Sequence, residues 1–255
     1  MYQTITVIVL ILFIAVTFLP LAYQVYYEMI TEKIKHAVNL SVKILPNCIL
    51  DNEDNQRNIA SGYKRSYKSP VEIDKKKLVA EFYDAMEKNM AGSELFEKMK
   101  ECILLKVIVY YDRFYVADKY DRWSPPFFFT KTNGDKLYYL YSYGNVARSL
   151  EGGENSDDIY LNEIPLTEEQ RNDIVIEKLN DVIESYTFEF SSGSGIKIKI
   201  FNPEKNDPEY KAHNNYFNVL DGVTFFVVYR NVNATAVNNT IFRFDKAAVS
   251  GYTME

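Results

Sequence analysis

The stretch Ile103–Val116, "ILLKVIVYYDRFYV", decides how this chain folds. It is a run of β-branched and aromatic residues broken at Tyr111–Asp112, which is strand texture on both sides of a turn. The same texture continues in "RFYVAD", "PFFFTK" and "KLYYLYSY", separated by "DRWSPP" and "TNGD". Four antiparallel strands are expected between Ile103 and Tyr143. Asn133–Gly134 is the strongest hairpin signal, because a tight two-residue turn favours residues that accept positive φ.

Further along the chain, residues 144–163 read as a surface loop around "LEGGENSDD". Thr167 and Gln170 then have capping-box spacing, opening a helix with Ile174, Leu179 and Ile183 on its buried side and Val175 and Val182 flanking it. "TFEFSS" and "IKIKIF" alternate with period two and predict a second hairpin through "SGSG". "NPEKNDPEYKAHNN" reads as a loop, "VTFFVVYR" as a buried strand, and "TIFRFDKAAV" as a last edge strand.

Towards the N-terminus, an apolar stripe of Leu78, Phe82, Met86 and Met90 predicts a helix from Ile73 to Met90. A short second helix is expected to start at Ser93–Glu94. Residues 51–70 are polar and aperiodic, a solvated tether. Its "DNEDN" lacks the sixth-position glycine and the closing glutamate of a calcium loop.

The first 45 residues differ in kind. Ile5 to Ala22 carries no charge, and the uncharged stretch runs on to Tyr27. About 20 such residues are needed to cross a hydrocarbon core. "MYQT" has no basic residue and "LPLA" is a poor cleavage site, so a retained anchor is expected over a removed signal peptide. Pro20 is tolerated in a membrane helix and bends it. Beyond the span, Tyr27, Ile30, Ile34, Val38 and Leu45 form one helical stripe until Pro46 ends the helix. That stripe packs either on the chain's own domain or laterally against other subunits. Lys33, Lys35 and Lys43 after the span argue for a cytoplasmic domain. The Tyr- and Asn-rich, strand-rich, Cys-poor composition argues for an extracytoplasmic one, which is the expectation adopted.

Composition narrows the function. With 47% apolar residues, 21 Tyr and 16 Phe in 255 residues, most of the chain should fold. Residues 1–71 hold 7 Lys/Arg against 5 Asp/Glu, so of the net −6, −8 falls on residues 72–255. An acidic domain lacks the basic footprint of nucleic-acid binding. Cys48 and Cys102 are too few for a disulfide scaffold. Near expected helix ends, they suit either one bridge or two buried thiols. No phosphate loop, nucleophile elbow or zinc motif is present, and His36 and His213 are the only imidazoles. No enzyme, cofactor or metal site is expected. In "DRWSPPFFFT", Trp123 and Phe128 are the candidate aromatic binding patch. Alternation sets Phe127 and Phe129 on one side and Phe128 on the other, so core packing on both faces is the expectation. Asn39 begins a glycosylation sequon, a pattern common by chance.

An uncharged span running into an amphipathic helix, "LPLAYQVYYEMITEKIKHAVNLSVK", resembles the TadE-like minor pilins of tight-adherence (Flp) pilus systems in Gram-positive bacteria. The resemblance covers residues 4–45, and the strand-rich region is similar in texture. The basic, glycine-containing segment before the span is missing, as is a glutamate within it. The resemblance implies a single-pass membrane protein of surface-appendage assembly, partnered by the membrane, by other pilin-like or assembly-platform helices, or by itself. The alternative is a tethered ligand- or envelope-binding module. The expected architecture is α+β: a long N-terminal membrane-spanning helix over 1–45, a linker over 46–71, and over 72–255 an antiparallel sheet domain with a few packed helices.

Overall fold

A computed structural model describes residues 2–51, 71–90, 94–140, 145–150, 160–188, 222–230 and 247–254. Helix α1 runs from Tyr2 to Ser41 and passes Pro20 without ending. It stops earlier than the expected boundary at Pro46. A 3-10 turn, Val42–Cys48, carries the chain through that proline. Pro46 has no N–H, and its ring would collide with the carbonyl of Val42 four residues back, so α geometry gives way there. The Ser41 hydroxyl meanwhile donates to the Ala37 carbonyl at 2.7 Å. Among the described residues, no helix is long and apolar enough to cross a membrane. Over residues 2–23, the described side chains are Val7, Phe13, Ile14, Phe18, Leu21 and Ala22 alone.

After the turn, Ile49 bridges Ile73. The Leu50 amide donates to Glu72 O at 3.0 Å, and the Asp74 amide to Cys48 O at 2.8 Å. These bonds hold Cys48–Leu50 and Glu72–Asp74 side by side. Residues 52–70, with "DNEDN", lie outside the described residues. Asp74 caps α2 (Lys75–Asn89), its carboxylate accepting from the Lys76 and Lys77 amides. Helix α3 (Glu94–Cys102) follows, in line with the expected second helix.

Strands β1 (Ile103–Val109), β2 (Arg113–Ala117), β3 (Phe127–Phe128), β4 (Thr130–Asn133) and β5 (Lys136–Leu140) come next, five where four were expected. β4 and β5 turn through Gly134 and Asp135, with Asn133 paired to Lys136. Gly134 has φ 61°, so the positive-φ residue is the glycine alone and Asn133 closes the strand. The expected surface loop is corrected at both ends, where β6 (Val146–Leu150) and β7 (Tyr160–Pro165) are strands. They pair antiparallel with each other. Too polar and too short to read as strands in isolation, they gain their stability from neighbours. Residues 151–159 lie outside the description.

Helix α4 spans Glu168–Phe188, opened by the expected box: Thr167 N donates to Gln170 Oε1 and Gln170 N to Thr167 Oγ1. Its buried side centres on Val175, Leu179, Val182 and Ile183, with Ile174 at the margin. Thr187 and Phe188 belong to this helix, which corrects the start of the expected "TFEFSS" strand. Residues 189–221, the "IKIKIF" strand and His213 included, lie outside the described residues. β8 (Thr224–Arg230) is the buried strand expected there, and β9 (Ala247–Thr253) the last edge strand, shifted towards the C-terminus.

The described strands form two antiparallel sheets, ordered β3-β2-β1-β8-β9 and β4-β5-β6-β7. Side chains alternate between the two faces of the first sheet. Ile108, Tyr110, Phe225, Val227 and Tyr229 meet α1, the 3-10 turn, α2 and α3 in one core. Val107, Val109, Phe114, Phe226 and Val228 meet α4 and the second sheet in another. A bulge between Ile103 and Leu105 turns both Leu104 and Leu105 into this second core. Coverage of both faces explains why β1 reads as a continuous apolar run.

Candidate functional site

The predicted stripe on α1 is internal. Ile34, Val38 and Leu45 are at most 2% exposed and sit in the first core, with Ile30 at its margin. Of Tyr27 only the backbone is described. The surface that would meet a neighbouring subunit between residues 30 and 45 is occupied by the chain's own α2 and sheet. Exposed apolar residues lie further towards the N-terminus: Val7, Ile14, Phe18, Leu21, Val25 and Met29 are 47–61% exposed. They fall within about a quarter turn of one another at 3.6 residues per turn. Phe13 and Tyr26 are exposed off that arc. His36 is exposed on α1. The Asn39 sequon places its third residue, Ser41, in the core with its hydroxyl engaged.

Neither Cys48 nor Cys102 is in a disulfide, so the candidate bridge is not formed. Cys48 is fully buried, with its thiol aimed at the Ile44 carbonyl at 3.6 Å. Desolvation pushes that thiol up to about 11, which suppresses the thiolate that disulfide exchange requires.

A cluster of cationic and aromatic side chains gathers at the open edge of the first sheet, on its helix-covered side. Register explains the gathering. Arg113 pairs with Phe128 and Phe114 with Phe127, while Ala117 bridges Trp123. Paired residues share a face, so Phe128, Arg113, Tyr115, Ala117 and Trp123 all belong to one side. Phe127 and Phe129 take the other, each stacked on Phe114. The alternation expected for the three phenylalanines holds, but coverage of both faces does not: Phe128 is 42% exposed and meets Tyr139 edge-on. Two-residue β3 is a sheet edge, and the helix layer stops short of it.

Over this edge stands Lys75, the first residue of α2. Its Nζ lies 3.1 Å from the centre of the Tyr115 ring and 5.8 Å from that of Trp123. Such contacts contribute roughly 0.5–2 kcal/mol, depending on desolvation. Partial burial lowers the Lys75 pKa and the Arg113 charge lowers it further, while Glu72 opposes both. Arg113 Nη1 donates to Asp112 at 3.1 Å, and its guanidinium faces the Tyr110 ring at 5.7 Å.

Across Ala117 from Trp123 lies a buried charge. Lys106, opposite Ala117 in the register, has a fully buried side chain whose Nζ meets Asp121 Oδ1 at 2.6 Å. It also donates to the Asp118 carbonyl at 3.3 Å. Burial pushes the Lys106 ammonium below its ordinary pKa, with Asp121 pulling it back. Asp121 adopts φ 61°, a conformation Asp tolerates better than most residues. Asp118 closes the turn by accepting from the Tyr120 and Arg122 amides and the Arg122 guanidinium. Lys106 therefore fastens the Asp118–Arg122 turn that presents Trp123.

Of the residues in this cluster, Trp123 and Phe128 are the two expected from sequence, and Lys75, Arg113, Tyr115, Lys106 and Asp121 are not. Lys106 did carry a signal, as the one charge inside "ILLKVIV". Lys75 sits in "DKKK", where nothing distinguishes it from its solvated neighbours. Among the described residues, no group of three or more His, Cys, Asp or Glu side chains could hold a metal ion. No family model matches the chain, and no significant match is found among curated proteins or solved structures.

Proposed function

We propose that the chain is a non-enzymatic, single-pass membrane component of a surface-assembly system, its α+β domain held outside the cytoplasm by the first half of α1. One observation supports this above the others. A single continuous helix changes from exposed apolar side chains at Val7–Met29 to buried ones at Ile34–Val38. The exposed part overlaps the stretch of sequence that carries no charge up to Tyr27, and it is the length of that uncharged sequence that supports a bilayer anchor. The buried part is built into the domain, so anchor and domain share one helix with no linker between them. Contact with other pilin-like helices then falls to the Val7–Met29 arc, because the domain occupies the next stretch.

Alkaline carbonate extraction of membranes tests the anchor. The full chain is expected in the pellet. Phe18→Lys with Leu21→Lys is expected in the supernatant, its domain melting as before. Release of the unaltered chain by carbonate would overturn the reading.

A further inference from the structure

We infer that the sheet edge formed by Trp123, Tyr115, Lys75, Arg113 and Phe128 binds an acidic oligosaccharide. This inference is independent of the anchoring proposal. From Trp123, beside Ala117, to Phe128, beside Arg113, the strip follows four residues of β2, about 13 Å at 3.3 Å per residue. It carries aromatic groups at both ends and cations between them.

The cations decide the ligand's charge. Lys75 forms no ion pair among the described residues; its ammonium rests on the Tyr115 and Trp123 rings instead. Arg113 is matched by Asp112, and the nearby Asp118 and Asp121 are engaged by Arg122 and Lys106. Among the described residues Lys75 is thus the cation of this strip held outside an ion pair, with the Glu72 carboxylate acting on it through space. A ligand carboxylate completes Lys75, while ring faces pack on Trp123 and on exposed Phe128.

Peptide capture by strand addition is disfavoured at this edge. β3 has two residues, and the preceding Pro125 and Pro126 have no N–H to donate. Nucleic acid is disfavoured because it binds through a surface that neutralises several phosphates, and among the described residues of this strip Lys75 alone stands outside an ion pair. A pyranose chain needs ring faces and isolated cations, and the strip offers both. Lys106 and the Asp118–Arg122 turn hold the Trp123 end in place.

Trp123 is the only tryptophan in the chain, so its emission reports directly on the strip. The test titrates the full chain in detergent micelles with tetragalacturonate, and in parallel with maltotetraose, inorganic phosphate and a tetraglutamate peptide. A saturable emission change with tetragalacturonate alone is expected. Its Kd should weaken at least tenfold in Lys75→Gln and at least threefold in Phe128→Ser, both melting within a few degrees of the unaltered protein. Absence of a saturable change, equal affinity in both variants, or equal binding of tetraglutamate or phosphate would each overturn the inference. Phe128 is exposed, so its variant keeps the test valid if Lys75→Gln perturbs the fold.

Discussion

At the scale of single residues, buried Lys106 is the strongest commitment the chain makes. Removing the charge of its partner in Asp121→Asn leaves an ammonium with no exposure, its remaining negative neighbour Asp118 already engaged by Arg122. Breaking such a pair costs on the order of 3 kcal/mol, measurable by denaturant unfolding at pH 7. The pH dependence has a definite sign. The folded state holds the Lys106 pKa below its unfolded value near 10.5. Between the two values the unfolded chain binds more protons, so stability rises with pH through that window. The deficit of Asp121→Asn should therefore shrink on titration towards pH 10.5. A deficit that is constant or growing would show that Lys106 is not the cause. Cys48 has the opposite sign: its raised pKa, about 11, contributes stability below pH 9 that is lost as pH rises towards 11. Native protein at pH 8 should leave Cys48 unalkylated by iodoacetamide, and urea-unfolded protein should not. Trp123 and Phe128 were legible as residues but not as a place. What joins them to Lys75 is the β2–β3 register and the start of α2, and neither is a local property of the sequence.

At the scale of elements, α1 divides into two regimes that substitutions should separate. Ile34→Asp places a carboxylate in the first core and should destabilise the domain by more than about 3 kcal/mol. Phe18→Asp changes an exposed position and should leave the domain's Tm within a few degrees. Similar losses from both would contradict the division. In the β4–β5 turn, a Cβ added at Gly134 would meet open space, but the backbone there holds φ 61°. Gly134→Ala should therefore cost about 1 kcal/mol through backbone strain alone, readable as a shift in the denaturant midpoint. Elements with a strong internal period were legible: α2 from its apolar stripe, α4 from its capping box, β8 from its apolar run. β6 and β7 were not, because "VARSL" and "YLNEIP" are strands only through pairing with β5 and each other. The end of α1 was legible only to within a turn, because Pro46 marks its own position in the sequence whereas its ring acts four residues back.

At the scale of the whole molecule, the α+β class and the antiparallel pairing were legible in the alternation between apolar runs and turns. The layering was not. Its two cores depend on which face of β1 meets helices and which meets the second sheet, and contacts from residue 34 to residue 254 close the first of them. That closure makes the second half of α1 part of the domain, and the proposal is that its first half lies in the membrane. Nitroxide labels placed singly at Val7, Ile14, Phe18, Leu21, Val25 and Ile34, with Cys48 and Cys102 replaced by alanine and the protein in liposomes, measure this directly. Collision rates with oxygen and with a water-soluble nickel chelate give the depth of each label. Oxygen-dominated, chelate-protected labels are expected from Val7 to Leu21, with a change towards the aqueous phase near Val25 and an immobile label at Ile34 shielded from both. Chelate-accessible labels at Ile14, Phe18 and Leu21 would contradict the proposal.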